Sequence, residues 1–162
     1  MSTNKPNKNN VIKRIDNWIK IKKRIMDMQK NDVLIGVPQE KTERREEGKE
    51  PITNAELMFI HTKGSPSRNI PARPTLEPAV EENAERIGQI YREAIKVALQ
   101  GGNPSHILEK IGLYASNKAK AKFGSDDLVP NAPSTIKQKG SDRPLIDTGQ
   151  LRNSVTYVVR RK

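Results

Sequence analysis

Apolar side chains recur at three- and four-residue steps from about Asn10 to Lys30, at Val11, Ile12, Ile15, Trp18, Ile19, Ile25 and Met26. That spacing predicts an amphipathic helix whose other face is filled by lysine and arginine. Trp18, the only tryptophan, sits on the apolar stripe and is expected to pack into the core. Asp32 to Val37 is a short β-branched run stopped by Pro38, which predicts a strand. Thr53 or Asn54 can cap a short helix through about Ile60, with Glu56 near its positive end and Ala55, Met58 and Phe59 facing inward. Lys63 and Gly64 end it. A long helix is expected from Thr75 or Glu77 to Leu99, on a stripe of Val80, Ala84, Ile87, Tyr91, Ala94, Ile95 and Ala98. Gly101 and Gly102 stop it. Pro104 and Ser105 open the next helix, to about Lys122, with Ile107, Leu108, Ile111, Tyr114, Ala115 and Ala119 inward. Gly112 either weakens this helix slightly or permits a close crossing. Val155, Tyr157 and Val159 alternate with their neighbours, so Gln150 to Arg160 reads as a closing strand.

Between these elements the pattern breaks down. Residues 1–10 are polar and read as a disordered arm ahead of a single domain over 11–162. Residues 39–50 are almost all charged and read as a solvated loop. Residues 64–78 hold four prolines; Pro71 and Pro74 force an extended path and hold Arg73 between them on a stiff backbone. Residues 125–147 form the longest aperiodic stretch, a length that inside a small domain points to function or to a bound partner. The element order predicts an α+β fold: a small mixed or antiparallel sheet packed by two long helices, with an N-terminal basic helix and long loops. Two strands make a poor sheet alone. Either weak strands lie within 39–50 or 60–73, or neighbouring subunits supply the rest.

Composition narrows the function. The chain has 162 residues, only 33% hydrophobic and 4% aromatic, so its core is small and a partner is expected to help complete it. The absence of cysteine excludes disulfide scaffolds, thiol catalysis and Cys-based zinc sites. Two histidines, His61 and His106, are too few for a His-rich metal site, and no cofactor is expected. No apolar run approaches the length that spans a membrane, and the polar N-terminus lacks the core of a signal peptide, so synthesis in a reduced cytoplasm is expected. The net charge of +11 is uneven. Residues 1–30 hold nine basic and two acidic groups, and residues 101–162 hold eleven and five, while the middle is balanced or slightly acidic. Such ends attract an anionic partner, nucleic acid or an acidic protein face, or else form a solvated surface. The basic stretches lack the interleaved aromatics of a single-strand stacking platform.

One catalytic motif is present on its face. Leu145-Ile-Asp-Thr-Gly149 matches the signature of retroviral-type aspartic proteases, whose chemistry needs two facing Asp-Thr-Gly loops sharing a proton. A homodimer would supply the second loop, with Asp147 as the catalytic acid. Yet that fold places most of its strands after the signature, and only 13 residues follow Gly149 here. The plainer reading is a turn in which Asp147 or Thr148 accepts a backbone N–H and Gly149 supplies a permissive dihedral. No other set of residues offers a nucleophile, a base and an orienting group, so an enzyme is not expected.

Several segments together resemble a known family. Gly36-Val37-Pro38 ends the first strand, and His61-Thr-Lys-Gly64 ends the short helix. Asn69-Ile-Pro-Ala-Arg-Pro-Thr-Leu-Glu-Pro78 leads into a long helix. Ala132-Pro-Ser-Thr-Ile-Lys-Gln-Lys-Gly140 and Pro144-Leu-Ile-Asp-Thr-Gly-Gln-Leu-Arg-Asn-Ser154 precede the closing strand. Their order and spacing over roughly residues 32–160 resemble the neck and tail-completion proteins of tailed bacteriophages, the virion-morphogenesis (head–tail connector) family. Thr62-Lys63 stands where that family carries an acidic-aromatic pair, and the 11–30 helix is more basic than its counterpart. The resemblance implies a structural protein of the virion, assembled in the host cytoplasm. It also implies self-association in a ring, hexameric or dodecameric, at the joint between head and tail, around a channel that passes DNA. Its implied neighbours are other connector, tail terminator, tube or sheath proteins, and no membrane. Candidate interface or structural residues are Arg73 with Pro71 and Pro74, Trp18, the basic loop residues Lys137, Lys139 and Arg143, and the Asp147-Thr148-Gly149 turn. Arg73 is expected to meet a carboxylate or backbone carbonyls, within the fold or across a subunit boundary. The alternative function is a stand-alone basic nucleic-acid-binding protein.

Overall fold

The computed structural model describes residues 8–43 and 52–162. Most of the expected 1–10 arm and of the 39–50 loop lies outside the described residues. The elements run α1 (Lys8–Gln29), β1 (Asn31–Gly36), α2 (Asn54–Lys63), α3 (Leu76–Glu81), α4 (Ala84–Leu99), α5 (Ser105–Lys122), α6 (Pro133–Lys139), α7 (Gln150–Ser154) and β2 (Thr156–Arg161). The fold is α+β, with β1 and β2 forming one antiparallel two-stranded sheet.

The register pairs Val33 with Val159, Leu34 with Val158 and Ile35 with Tyr157. The alternation of a strand then separates two faces. Val33, Ile35 and Val159 pack into the core, and Tyr157 lies against α5. Leu34 and Val158 point away and stay exposed. No third strand exists among the described residues; residues 60–73 contribute only an isolated bridge between Ser65 and Ile70.

Helix α5 is shared by two apolar clusters. Its first half, Ile107, Leu108 and Ile111, joins Met28, Ile90, Ala94 and Ala98. Its second half, through Ala119 and the following Phe123, joins Met58, Ala79, Leu151 and Val155. The ridge of α5 that meets the sheet is built from small residues, Gly112, Ala115, Ser116 and Ala119, all buried. At Gly112 a Cβ would overlap the ring of Tyr157. The glycine permits a close crossing, at the modest cost of glycine inside a helix.

Helix α2 opens with a capping box: Glu56 N–H donates to Thr53 Oγ1 at 3.2 Å, and Thr53 N–H donates to Glu56 Oε2 at 2.9 Å. Asn54 is the first helical residue, and its buried amide donates to the Glu43 carbonyl at 3.0 Å.

Five expectations are corrected. The long helix over 75–99 is two helices, because Asn83 breaks it: its side-chain amide donates to the Ala79 carbonyl, and its Oδ1 accepts from the Tyr114 hydroxyl, both at 2.9 Å. The aperiodic 125–147 loop contains α6, started by Pro133 at its first turn and closed by Gly140 with a positive φ, too short to show a period. The strand over 150–160 begins only at Thr156; Gln150–Ser154 is a single helical turn closed by Asn153 N–H to Gly149 O at 2.9 Å. Ala55 and Phe59 face solvent, since α2 packs through Leu57 and Met58 instead. Trp18 is not a core residue but is 64% exposed, because only the last turns of α1 reach the body.

Replacing Gly112 by alanine is expected to destabilise the chain by about 1–3 kcal/mol through overpacking, despite the better helix propensity of alanine. Urea denaturation monitored by circular dichroism checks this, and a neutral or stabilising result would show that the sheet can shift away from α5.

Candidate functional site

Three distant stretches meet at one cavity of about 440 Å³: the extended segment around Asn69–Arg73, the loop from Pro130 into α6, and the turn from Leu145 to Leu151. The first stretch is fixed to α2. Gly64 ends the helix, Ser65 pairs with Ile70 by two backbone hydrogen bonds, and Arg73 N–H donates to His61 O at 2.6 Å. The two prolines flanking Arg73 hold the backbone extended and so fix the direction in which its side chain leaves the chain.

That direction leads into the body. Arg73 is 7% exposed. Its Nε–H donates to Val129 O at 2.6 Å and its Nη2–H to Pro130 O at 2.8 Å. A planar guanidinium thus holds two successive carbonyls of a loop more than fifty residues away, a geometry that an ammonium cannot reproduce. Burial pushes the guanidinium pKa below its ordinary value, a direction without consequence for its charge near neutrality. Among the described residues Arg73 has no carboxylate in ion-pair range.

The second stretch is tied by Asn131. Its nearly buried amide donates to the Asp142 and Arg143 carbonyls, both at 3.1 Å, and so closes the loop across α6. Lys139, at the end of α6, donates to the Arg143 carbonyl at 3.3 Å. Burial pushes the Lys139 pKa down, Arg73 adds to that, and Asp147 opposes it. The third stretch is the Asp-Thr-Gly turn. Gly149 has φ +79° and precedes α7, and Thr148 Oγ1 accepts the Gln150 N–H at 3.4 Å. This is the Asx/Ser-Thr type of turn that the sequence allows.

Of the residues singled out from sequence, the cavity gathers Pro71, Arg73, Lys139, Asp147, Thr148 and Gly149. Pro74, Lys137 and Arg143 lie outside its lining, although the backbone of Arg143 anchors the loop. Trp18 is elsewhere, on α1. Two contributors were missed: Asn131, visible only as an Asx residue after proline, and His61, whose position at the end of α2 gave no reason to place it here. Asp147 is the only carboxylate among the described residues lining the cavity. No group of three or more potential metal ligands exists among the described residues. The walls are largely apolar, from Leu57, Ile70, Pro71, Leu145 and Leu151, with two cationic side chains and one anionic one at the surface of the space.

Comparison with protein-family models, curated proteins and solved structures finds no match for this chain.

Arg73→Met is expected to lower stability by about 2–4 kcal/mol, since it leaves the Val129 and Pro130 carbonyls without their donors; Arg73→Lys should recover only part of the loss. Thermal melts of both variants decide it, and equal stability of Lys and Arg would sink the bidentate argument. Lys139 carries a pH prediction. Its folded-state pKa lies below 10.5, so folding binds this proton more weakly than the unfolded chain does. The penalty is complete below the folded pKa and disappears as pH rises through the unfolded value. Lys139→Met removes this penalty together with the hydrogen bond to the Arg143 carbonyl, so its melting temperature relative to the parent should be highest near pH 7 and fall as pH climbs toward 10.5.

Proposed function

We propose that the chain is a structural component of the neck of a tailed bacteriophage, one subunit of a ring that joins the DNA-filled head to the tail. The observation that carries the reading is the meeting of the Asn69–Pro74, Ala132–Gly140 and Pro144–Ser154 segments around one cavity, bound together by Arg73 and Asn131. Those segments carry the resemblance to tail-completion proteins. Far apart in sequence, they act as one structural unit with Arg73 as its clasp.

The open sheet supports the same reading. Each strand has one edge without a ladder partner among the described residues, and Leu34 and Val158 lie exposed side by side on the outer face. Unpaired edges and a bare apolar face are what a subunit completed by its neighbours presents. In this reading the cavity receives a segment of an adjoining subunit, and the basic ends face either DNA in the channel or acidic neighbours. No helix among the described residues is long and apolar enough to cross a membrane, which fits a particle component assembled away from one.

The exposed, strongly basic α1 favours the second reading, a stand-alone nucleic-acid-binding protein. Mass spectrometry of purified tailed particles separates the two. The connector reading expects the chain in mature particles at a fixed ring copy number, and filled heads without tails when its gene is deleted. Leu34→Asp with Val158→Asp, at positions exposed in the single chain, should leave folding intact and block incorporation. Normal tailed particles without the chain would overturn the reading. Tight binding of duplex DNA by the isolated chain, falling steeply with salt, would favour the second.

A further inference from the structure

Helix α1 carries two apolar faces, and the body covers only one. Ile21, Ile25 and Met28 turn inward over its last turns, with Met28 buried in the core beside Ile90. The other face runs Ile12, Ile15, Ile19, Lys22 and Met26, in steps of three, four, three and four, with Val11 and Trp18 along one flank. All of these are exposed, and residues 11–20 are exposed without a break, on every side of the helix. A helix stretch of that length has little stability in water without packing, so this face requires an occupant.

The seam, apolar at four of its five positions over two heptads, has the spacing that another helix would fill. With Ile12, Ile19 and Met26 at one seam position, Ile15 and Lys22 take the other. Asp16 and Lys23 then flank the seam on one side, and Val11, Trp18 and Ile25 on the other. The charge placement selects orientation. A parallel, in-register pair would set Lys22 against Lys22 in the seam. An antiparallel pair centred between Ile19 and Lys22 avoids this. It sets Ile15 against Met26 of the second copy and Ile19 against the stem of its Lys22. It also brings Asp16 beside Lys23 of the second copy, twice by symmetry. The remaining basic residues, Lys13, Arg14, Lys20 and Arg24, lie away from the seam, where salt screens them.

We infer that α1 is a self-association element: the free chain pairs with a second copy through an antiparallel α1–α1 contact along Ile12, Ile15, Ile19 and Met26, with Asp16 and Lys23 fixing the register. The contact is two-fold and isologous, so it stops at a dimer. It does not rest on the connector reading and stands or falls on the behaviour of the purified chain.

Sedimentation equilibrium of the full chain tests it. The parent is expected at twice its 18.2 kDa mass, with Trp18 fluorescence shifting to the blue and helicity rising as concentration increases. Ile15→Glu and Ile19→Glu should each weaken dimerisation by about tenfold or more. Both side chains are exposed in the monomer, so an unchanged thermal transition of the body controls for folding. Asp16→Lys alone and Lys23→Asp alone should weaken the dimer, and the double exchange should restore it. A chain that stays monomeric at about 100 µM, a dimer indifferent to Ile15→Glu and Ile19→Glu, or charge exchanges that do not compensate would overturn the proposal. So would a monomer whose Trp18 responds only to anionic lipid vesicles or to duplex DNA, since the face would then belong to that partner.

Discussion

The close approach of α5 to the two-stranded sheet is the constraint on which the rest of the structure depends. A two-stranded sheet has almost no stability of its own. It persists here because α5 packs against it: Gly112 admits the ring of Tyr157, Val33 and Val159 join the cluster that holds Ile107, Leu108 and Ile111, and Ile35 joins the one that holds Ala119 and Phe123. The same helix then faces α4 with Ile107, Leu108 and Ile111, and closes on α2, α3 and α7 through Ala119. One helix thus links two small clusters, neither large enough to hold a domain by itself. This economy suits a chain with few hydrophobic residues, and it explains why one Cβ at position 112 matters more than its size suggests.

The cavity depends on this frame at one remove. Its walls come from irregular backbone, which needs hydrogen-bond partners wherever it is buried. Arg73 and Asn131 supply them: one holds the carbonyls of Val129 and Pro130, the other those of Asp142 and Arg143. The long loop is therefore ordered by polar side chains, Arg73 reaching in from outside it and Asn131 bridging from within, where an apolar core would otherwise do this. The guanidinium is held by carbonyls, and Lys139 adds a second positive charge to the wall, with the Asp147 carboxylate opposing it.

Local signals carried the fold class, and long-range ones hid the details. The α5 stripe and the β2 alternation were legible because each rests on a period that a single face imposes, and β1 because it is a β-branched run stopped by Pro38. The start of α2 was legible because caps are local, although the sequence left Thr53 and Asn54 as alternatives and gave Glu56 only a dipole role; the reciprocal Thr53–Glu56 capping box appears in the structure. The break at Asn83 was not, since it depends on the Tyr114 hydroxyl more than thirty residues away. Nor were α6 and α7, each too short to display a period. Arg73 showed as a constrained cation between prolines, yet which carbonyls it meets follows only from the tertiary path. Trp18 misled for a physical reason: an amphipathic pattern says that a face is buried against something, and not that the something belongs to the same chain.

That last distinction extends beyond one residue. Six of the twelve large hydrophobic side chains exposed among the described residues lie on α1: Val11, Ile12, Ile15, Trp18, Ile19 and Met26. In a chain this poor in apolar residues, random exposure would scatter them. Concentrated on one helix face, they form a contiguous patch of the kind that marks contact with another molecule. Leu34 and Val158 form a second, smaller patch on the opposite strand face of the sheet. Burying either within the chain would demand another helix or strand that the described residues do not contain. The apolar surface that the fold leaves unused is thus divided between two separate places, one on α1 and one on the outer face of the sheet.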